Sequence, residues 1–222
     1  VIILSVPDLH VPYQHPDAWD FLRDLKKEVK PDKVICAGDE VEYAGISFHD
    51  LNPNMPSASD EHEAAKHELK NLYKIFPEMD ICISNHTSRP FRRAMKYGLP
   101  SQFIRDYRDF LEAPKEYRWA DSWEYDGVLY LHGEGYSGKN AHVQAAIGHQ
   151  QSVVMGHIHS WAGVQYIRTA KKQIFGVNSG CLIDDKALAF KWAKHFATKV
   201  TLGASIIEDG KVAHFIPMES RI

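Results

Sequence analysis

The sequence predicts an α/β fold of two packed sheets with helices outside, and three observations carry that prediction. An apolar run, Val1–Val6, leads through an amphipathic stretch to a second run, Lys33–Ala37, which is the strand–helix–strand order of a parallel pair with a right-handed crossover. Asp126-Gly127 and Asp209-Gly210 each separate two strand-like runs, as tight hairpins require. Five short groups of His, Asp and Asn follow directly on apolar runs, so they sit where strands end.

The elements can be justified in order. After the first strand Pro16 stands where a helix starts, and Ala18, Phe21, Leu22, Leu25 and Val29 recur at helical spacing. The stretch from Glu42 to Ser59 is polar, holds Pro53 and Pro56, and reads as a long surface loop. Asp60 and Glu63 form a capping box for a helix whose Leu69, Leu72 and Phe76 face inward, and Pro77 ends it. A strand Asp80–Ser84 follows, then a helix from about Pro90, then one capped by Ser101 that turns Phe103, Ile104, Tyr107 and Leu111 inward. From Tyr117 on, strands dominate: Trp123–Tyr125, Val128–Leu131, Ser152–Met155, Gly163–Arg168, Gln173–Asn178, Val200–Glu208 and Lys211–Pro217, with a short helix from Asn140 to Gly148. The order suggests a parallel half leading into an antiparallel half.

Composition narrows the class. The chain has 222 residues, 44% hydrophobic and 25% charged, enough for one well-buried core, so a single domain over 1–222 is expected. A net charge of -3 gives no basic excess of the kind that non-specific duplex binding shows. Cys36, Cys82 and Cys181 cannot all pair with one another, and the first two lie in strand patterns, so reduced thiols and a cytoplasmic setting are expected. No apolar stretch reaches membrane-span length and no basic-then-apolar leader precedes Val1, so no membrane partner is expected.

The five groups are Asp8-Leu9-His10, Gly38-Asp39, Asn85-His86, His132-Gly133 and Gly156-His157-Ile158-His159. Side chains just past the carboxyl ends of strands in an α/β sheet converge on one crevice. Together they gather imidazoles, carboxylates and an amide, which is a metal-ligand set; imidazole suits zinc, iron, copper and nickel, and the oxygens are harder donors.

In order and local context the set resembles the calcineurin-like metallophosphoesterase family, whose motifs run D-x-H, G-D-x-x, G-N-H-[DE], H and G-H-x-H. Asn178-Ser179-Gly180-Cys181 also resembles the family's later N-P-G-S turn, with two substitutions. The resemblance implies a four-layer αββα sandwich of two mixed β-sheets and a phosphoesterase using metal-activated water. It implies two divalent ions (manganese, iron, zinc or nickel, with manganese favoured for activity). One ion would be held by Asp8, His10 and His159, the other by Asn85, His132 and His157, with Asp39 bridging. His86 would be unliganded and act on the phosphoryl group and the leaving oxygen.

One departure stands out: Thr87 replaces the acid that in the family follows the histidine, and Glu40 or Glu42 is the candidate replacement. Among nearby cations Arg89 is the best placed for substrate contact, because guanidinium matches phosphate, and His49 in the long loop is a second substrate-binding candidate. Tyr13, Trp161 and Tyr166 are candidates for stacking on a base. The expected substrate is a phosphate ester, with a lean to nucleotides or nucleic-acid ends; the shared motifs set neither substrate nor oligomeric state.

Three other readings compete. The same fold can serve as a non-catalytic protein-binding scaffold, or as a phosphoprotein phosphatase. Gly133–Asn140 nearly spells a nucleotide-binding P-loop, but Asn140 stands where Ser or Thr must reach magnesium. His15, His62, His67, His142, His149, His195 and His214 belong to no motif and read as surface or core groups.

Overall fold

The structure, a computed structural model, describes residues 1–50, 52–193 and 197–218, and their side chains except at 191–193. In chain order the elements are β1 (Ile2–Val6), α1 (Ala18–Val29), β2 (Lys33–Cys36), α2 (Ala58–Ile75), β3 (Met79–Cys82), α3 (Arg89–Lys96), α4 (Tyr107–Phe110), β4 (Tyr117–Ala120), β5 (Ser122–Tyr125) and β6 (Val128–Leu131). Then come α5 (Ala141–His149), β7 (Ser152–Met155), β8 (Gly163–Arg168), β9 (Gln173–Asn178), β10 (Gly203–Glu208) and β11 (Val212–Pro217). His195 lies outside the described residues.

Two sheets result, ordered β11-β10-β1-β2-β3-β4 and β5-β6-β7-β9-β8. In the first, β1 to β4 run parallel and β10 and β11 are added antiparallel. In the second, β6, β7 and β9 are parallel, with β5 and β8 as antiparallel edges. The expected division into a parallel and an antiparallel half is therefore corrected: both sheets are mixed, the first with its parallel block reaching the β4 edge and the second with its parallel strands in the middle. Alternating hydrophobicity marks a strand but not its sheet, so the return of β10 beside β1, across the whole sequence, was invisible to it.

Side-chain alternation makes the layers. On β1, Leu4 and Val6 enter the cluster under α1 and α2, whereas Ile3 points the other way into the space between the sheets. On β7 and β9, Val154, Phe175 and Val177 fill that same space while Val153, Met155 and Ile174 pack under α5. The sequence of layers is helix, sheet, sheet, helix, the αββα order that the family resemblance implied.

Turn chemistry agrees with the hairpins, since Asp126, Gly127, Asp209 and Gly210 all have positive φ, as a type I′ turn needs. The start of α2 is earlier than expected: Ser57 is its cap, accepting from the Asp60 N–H at 3.1 Å, which makes Asp60 a first-turn residue. The helix expected after Ser101 is instead a 3₁₀ turn over Ser101–Phe103 followed by the four-residue α4, capped by Asp106. Leu111 is buried there, but Phe103 is 76% exposed. Strand β4, absent from the sequence reading, carries Arg118, which faces outward and broke the apolar pattern.

Asp80 on β3 ties the sheets together at one edge. Its carboxylate accepts from Arg118 Nε at 2.7 Å on β4 and from the Tyr125 hydroxyl at 2.6 Å on β5, in the opposite sheet. Burial pushes this carboxyl up, but the Arg118, Tyr125 and Lys33 contacts outweigh it and hold it below the usual range. Replacing Asp80 by Asn should cost about 1–3 kcal/mol at neutral pH, because charge-assisted bonds lose their anion. Urea unfolding of the two proteins should show the gap narrowing as pH falls into the acid range, where wild-type Asp80 is itself neutralised.

Candidate metal centre

The five motifs meet at one end of the sandwich. Asp8 and His10 follow β1, Asp39 follows β2, Asn85 and His86 follow β3, His132 follows β6, and His157 and His159 follow β7. Each of these strands is in the parallel part of its sheet, so their carboxyl ends point the same way within it. The backbone bends sharply to present the donors: His10, Asp39 and His157 have φ of 49°, 51° and 69°. Non-glycine residues in that region cluster at sites where the surroundings enforce the strain. Two neighbouring glycines are required by space, since a Cβ on Gly156 would collide with Asp8 Oδ1, and one on Gly38 would lie 2.7 Å from His132 Nδ1.

Two donor sets share one carboxylate. In the first, ligand atoms of Asp8, His10, Asp39 and His159 all lie within 4.8 Å of one another. Asp8 Oδ2 is 2.9 Å from His159 Nε2, and His10 Nε2 is 3.2 Å from that nitrogen. In the second, Asp39, His132 and His157 meet the same criterion. There Asn85 Oδ1 is 2.8 Å and His157 Nδ1 3.1 Å from His132 Nε2. Asp39 Oδ2 is 3.3 Å from both His10 Nε2 and His132 Nε2, so one oxygen faces both sets.

The set fits cations. His10 Nδ1 faces Glu42 Oε2 at 2.5 Å and His132 Nδ1 faces the Ala37 carbonyl at 3.0 Å. Each acceptor draws the ring proton to Nδ1 and turns the Nε2 lone pair inward, the outer partner that metal-binding imidazoles use. Asp8, His10, Asp39 and His132 are all buried, and Asp8 Oδ1 has no hydrogen-bond partner. Burying converging carboxylates is costly unless protons on the imidazoles or a cation balance them.

His86 lies beside both sets. Its Nδ1 is 2.9 Å from Glu42 Oε2, its Nε2 is 3.9 Å from Asp39 Oδ2, and its ring meets that of His10 edge to face at 4.6 Å. Glu42, one of the two acids considered for the place of the missing one, is thus the residue that orients His86, and it holds His10 as well. Glu40 goes elsewhere: it accepts from the Thr87 hydroxyl at 2.5 Å and from Trp119 Nε1 at 2.9 Å. Thr87 in turn accepts from Ser84, whose oxygen receives the Asp39 N–H at 3.0 Å. Thr87 therefore steadies the Asp39 loop rather than the His86 ring.

The substrate candidates fall differently from expectation. Arg89 is buried behind His86, donating to the Glu42 carbonyl at 2.7 Å, to Glu42 Oε1 at 3.2 Å and to His86 Nε2 at 3.2 Å. His49 is exposed on the loop before α2 and does not line the cavity over the centre. That cavity holds about 360 Å³ and is lined by Asn85, His86 and His159 together with Trp161, Ile183 and Phe190. Lys139 of the glycine-rich loop lies over the Trp161 ring, 4.8 Å from its centroid. Sequence reasoning missed Phe190 and Ile183, which belong to no motif.

Electrostatics follow from the burial of so many titratable groups. Burial alone pushes the His10 and His132 imidazoles down, but the Asp39 carboxylate, aided by Glu42 for His10 and Asp8 for His132, outweighs it and raises them to about 10 and about 9. Burial pushes the Asp39 carboxyl up, and His132, His86 and His10 hold it well below the ordinary range. Glu42 is lowered in the same way, by His86 and His10. His157 is lowered, by burial and by His132.

A pH dependence follows with a definite sign. Without metal the folded centre binds protons that the unfolded chain, with imidazoles near 6.5, releases sooner. That stabilisation is complete below pH 6.5 and lost as pH rises through about 9 and about 10. Cations bound to these donors would replace those protons, so the rise in Tm on adding manganese to EDTA-treated protein should grow between pH 6.5 and pH 9. A Tm increment independent of pH across that window would contradict this proton–metal exchange.

No family model and no curated protein matches the chain. Among solved structures the chain is similar to the phosphoesterase YfcE from E. coli, with 13% identity and a TM-score of 0.49 over 94% of this chain and 88% of that one. It is also similar to vacuolar protein sorting 29 from Cryptosporidium parvum, with 12% identity and a TM-score of 0.47 over 98% of each chain. The nuclease MPE from Pseudomonas putida follows at 16% identity and a TM-score of 0.39, covering 83% of this chain and 75% of that one.

Proposed function

We propose that the chain is a phosphoesterase of the calcineurin-like type, holding two divalent cations, manganese favoured, and hydrolysing phosphate mono- or diesters. The observation that carries this reading is the single oxygen of Asp39 facing two donor sets at 3.3 Å, with His86 beside them. Asp8, His10, Asp39 and His159 would hold one cation, and Asp39, Asn85, His132 and His157 the other. When bound, such a pair supplies Lewis acidity toward phosphoryl oxygens and makes water a nucleophile near neutral pH.

The chain's own residues do the rest. Glu42 fixes the His86 ring through Nδ1, which leaves Nε2 as the nitrogen able to pass a proton to a departing oxygen. In the resting protein that nitrogen accepts from Arg89, so delivering a proton from it requires this contact to open. The apolar lining residues Trp161, Ile183 and Phe190 exclude water and suit a flat organic group attached to the phosphate, which favours nucleotides over phosphoproteins. A protein-binding scaffold gives no reason to bury Asp8 with an unpartnered oxygen in such a set. Among the described residues no helix is long and apolar enough to cross a membrane, and the three cysteines, all free and buried, fit the reducing cytoplasm we infer.

Hydrolysis of p-nitrophenyl phosphate and bis(p-nitrophenyl) phosphate with manganese tests the reading directly. His86→Ala should lower kcat by about 10²–10⁴-fold while metal content stays at two per chain; parallel loss of metal would make His86 a ligand. Glu42→Gln should weaken metal affinity about 10–100-fold, as loss of an outer partner of a ligating imidazole does, measured by titration with a chelator competitor. Absence of metal-dependent hydrolysis of either ester and of mononucleotides would overturn the proposal.

A further inference from the structure

A cationic and aromatic surface lies beside the cavity and supplies no donor atom to either set. Arg92, Arg93 and Lys96 of α3 gather around one exposed ring, that of Phe48: their cationic groups lie 5.0, 4.3 and 5.8 Å from its centroid. Among the described residues the arginine ion pairs involve Arg23, Arg89 and Arg118, and the lysine pairs Lys33, Lys66 and Lys115, so none of the three cations is neutralised. Three uncompensated cations on eight residues are a local excess in a chain whose net charge is -3. Just past them, Tyr97 and Phe103 are 75% and 76% exposed, on a segment that packs against α3.

The patch is continuous with the cavity. Arg92 Nη1 donates to the carbonyl of Asn85 at 3.2 Å, and Asn85 lines the cavity. Arg93 Nε donates to the Ile46 carbonyl at 2.8 Å, which fixes the loop carrying Phe48 against α3. The surface is thus held in place rather than assembled on demand.

We infer that this surface is a track for single-stranded nucleic acid, leading a strand across α3 toward the cavity. Phosphates meet Arg92 and Lys96, and unstacked bases lie on Tyr97 and Phe103; cations that follow the backbone beside aromatic platforms are the recurring means of holding single strands. The inference rests on the phosphoesterase reading, since it names the polymer whose phosphoester enters the centre. An anionic membrane is the poorer fit, because an interfacial helix needs a long, continuous apolar face and α3 has eight residues, four of them Arg or Lys.

Fluorescence anisotropy of a labelled oligothymidylate, titrated with the full chain in EDTA so that nothing is hydrolysed, tests the track. Wild type should bind with an affinity that falls steeply with salt. Arg92→Glu with Lys96→Glu should weaken binding at least about tenfold and flatten the log–log salt slope by about 1.4, the value for two lost phosphate contacts on a single strand. Tyr97→Ala with Phe103→Ala should weaken binding several-fold and leave the slope unchanged, a split that a merely structural role would not produce. Arg92→Gln with Lys96→Gln, checked by its melting curve, repeats the test without charge reversal. No binding by wild type, unchanged binding by the double variants, or equal loss of binding to anionic phosphatidylserine vesicles that wild type holds more tightly than the oligonucleotide would overturn it. Oligonucleotide binding without hydrolysis of any ester would sink the enzymatic reading and leave the track; hydrolysis without oligonucleotide binding would do the reverse.

Discussion

The buried carboxylate of Asp39 sets the terms for the rest of the centre. A negative charge removed from water is stable only when positive charge or hydrogen-bond donors surround it. Here the neighbours are imidazoles arriving from both sheets, His10 and His132 at 3.3 Å and His86 at 3.9 Å, and the backbone N–H of His86 donates to Asp39 Oδ1 at 3.2 Å. That requirement explains local features that would otherwise be liabilities. The left-handed backbone at Asp39 aims the carboxylate at the crevice, and the missing side chain at Gly38 lets His132 come close.

Glu42 is the second organising group, and it works by holding rings rather than by facing the donors. It contacts His10 Nδ1, His86 Nδ1 and the Arg89 guanidinium, so one carboxylate fixes the tautomers of a ligand candidate and of the proton-carrying candidate together. The loop that carries it is in turn tied to α2, where Glu61 accepts from the Ala44 and Gly45 N–H groups at 2.8 and 2.7 Å. This accounts for the absence of an acid at position 87. The acid that holds the His86 ring lies at 42, and Thr87 joins Ser84 and Glu40 in bracing the Asp39 loop.

How much of this was legible in the sequence depended on the range of the interaction. Strands β6, β7, β8 and β9 were placed correctly because apolar alternation and turn chemistry are local, and the convergence of the five groups on one crevice was legible because each sits immediately after such a run. Sheet order was not legible, since it depends on which strands pair across long separations, as β1 and β10 do. The inward view of Arg89 was not legible either: its position one turn after His86 suggested reach toward substrate, but the nearer Glu42 carbonyl and carboxylate capture its guanidinium. The helix expected after Ser101 failed for a related reason. Leu111 is buried as its spacing implied, yet Asp106 captures the Asp109 N–H and restarts the helix there, leaving Phe103 outside.

The centre also bears on how the two sheets stay together. Each donor set draws on both: Asp8, His10 and Asp39 from the first sheet meet His159 from the second, and Asp39 and Asn85 from the first meet His132 and His157 from the second. A cation in either set would therefore be a cross-sheet clip, placed at the strand ends where the apolar filling between the sheets gives out. Binding energy of this kind is folding energy, because the unfolded chain has no such site. The inter-sheet core of Ile3, Ile35, Val154 and Phe175 aligns the strands, and that alignment brings the donors within reach of one another. The same packing that stabilises the sandwich thus buries a cluster of carboxylates at its edge, whose charge is balanced by protons on the imidazoles and would equally be balanced by a pair of cations.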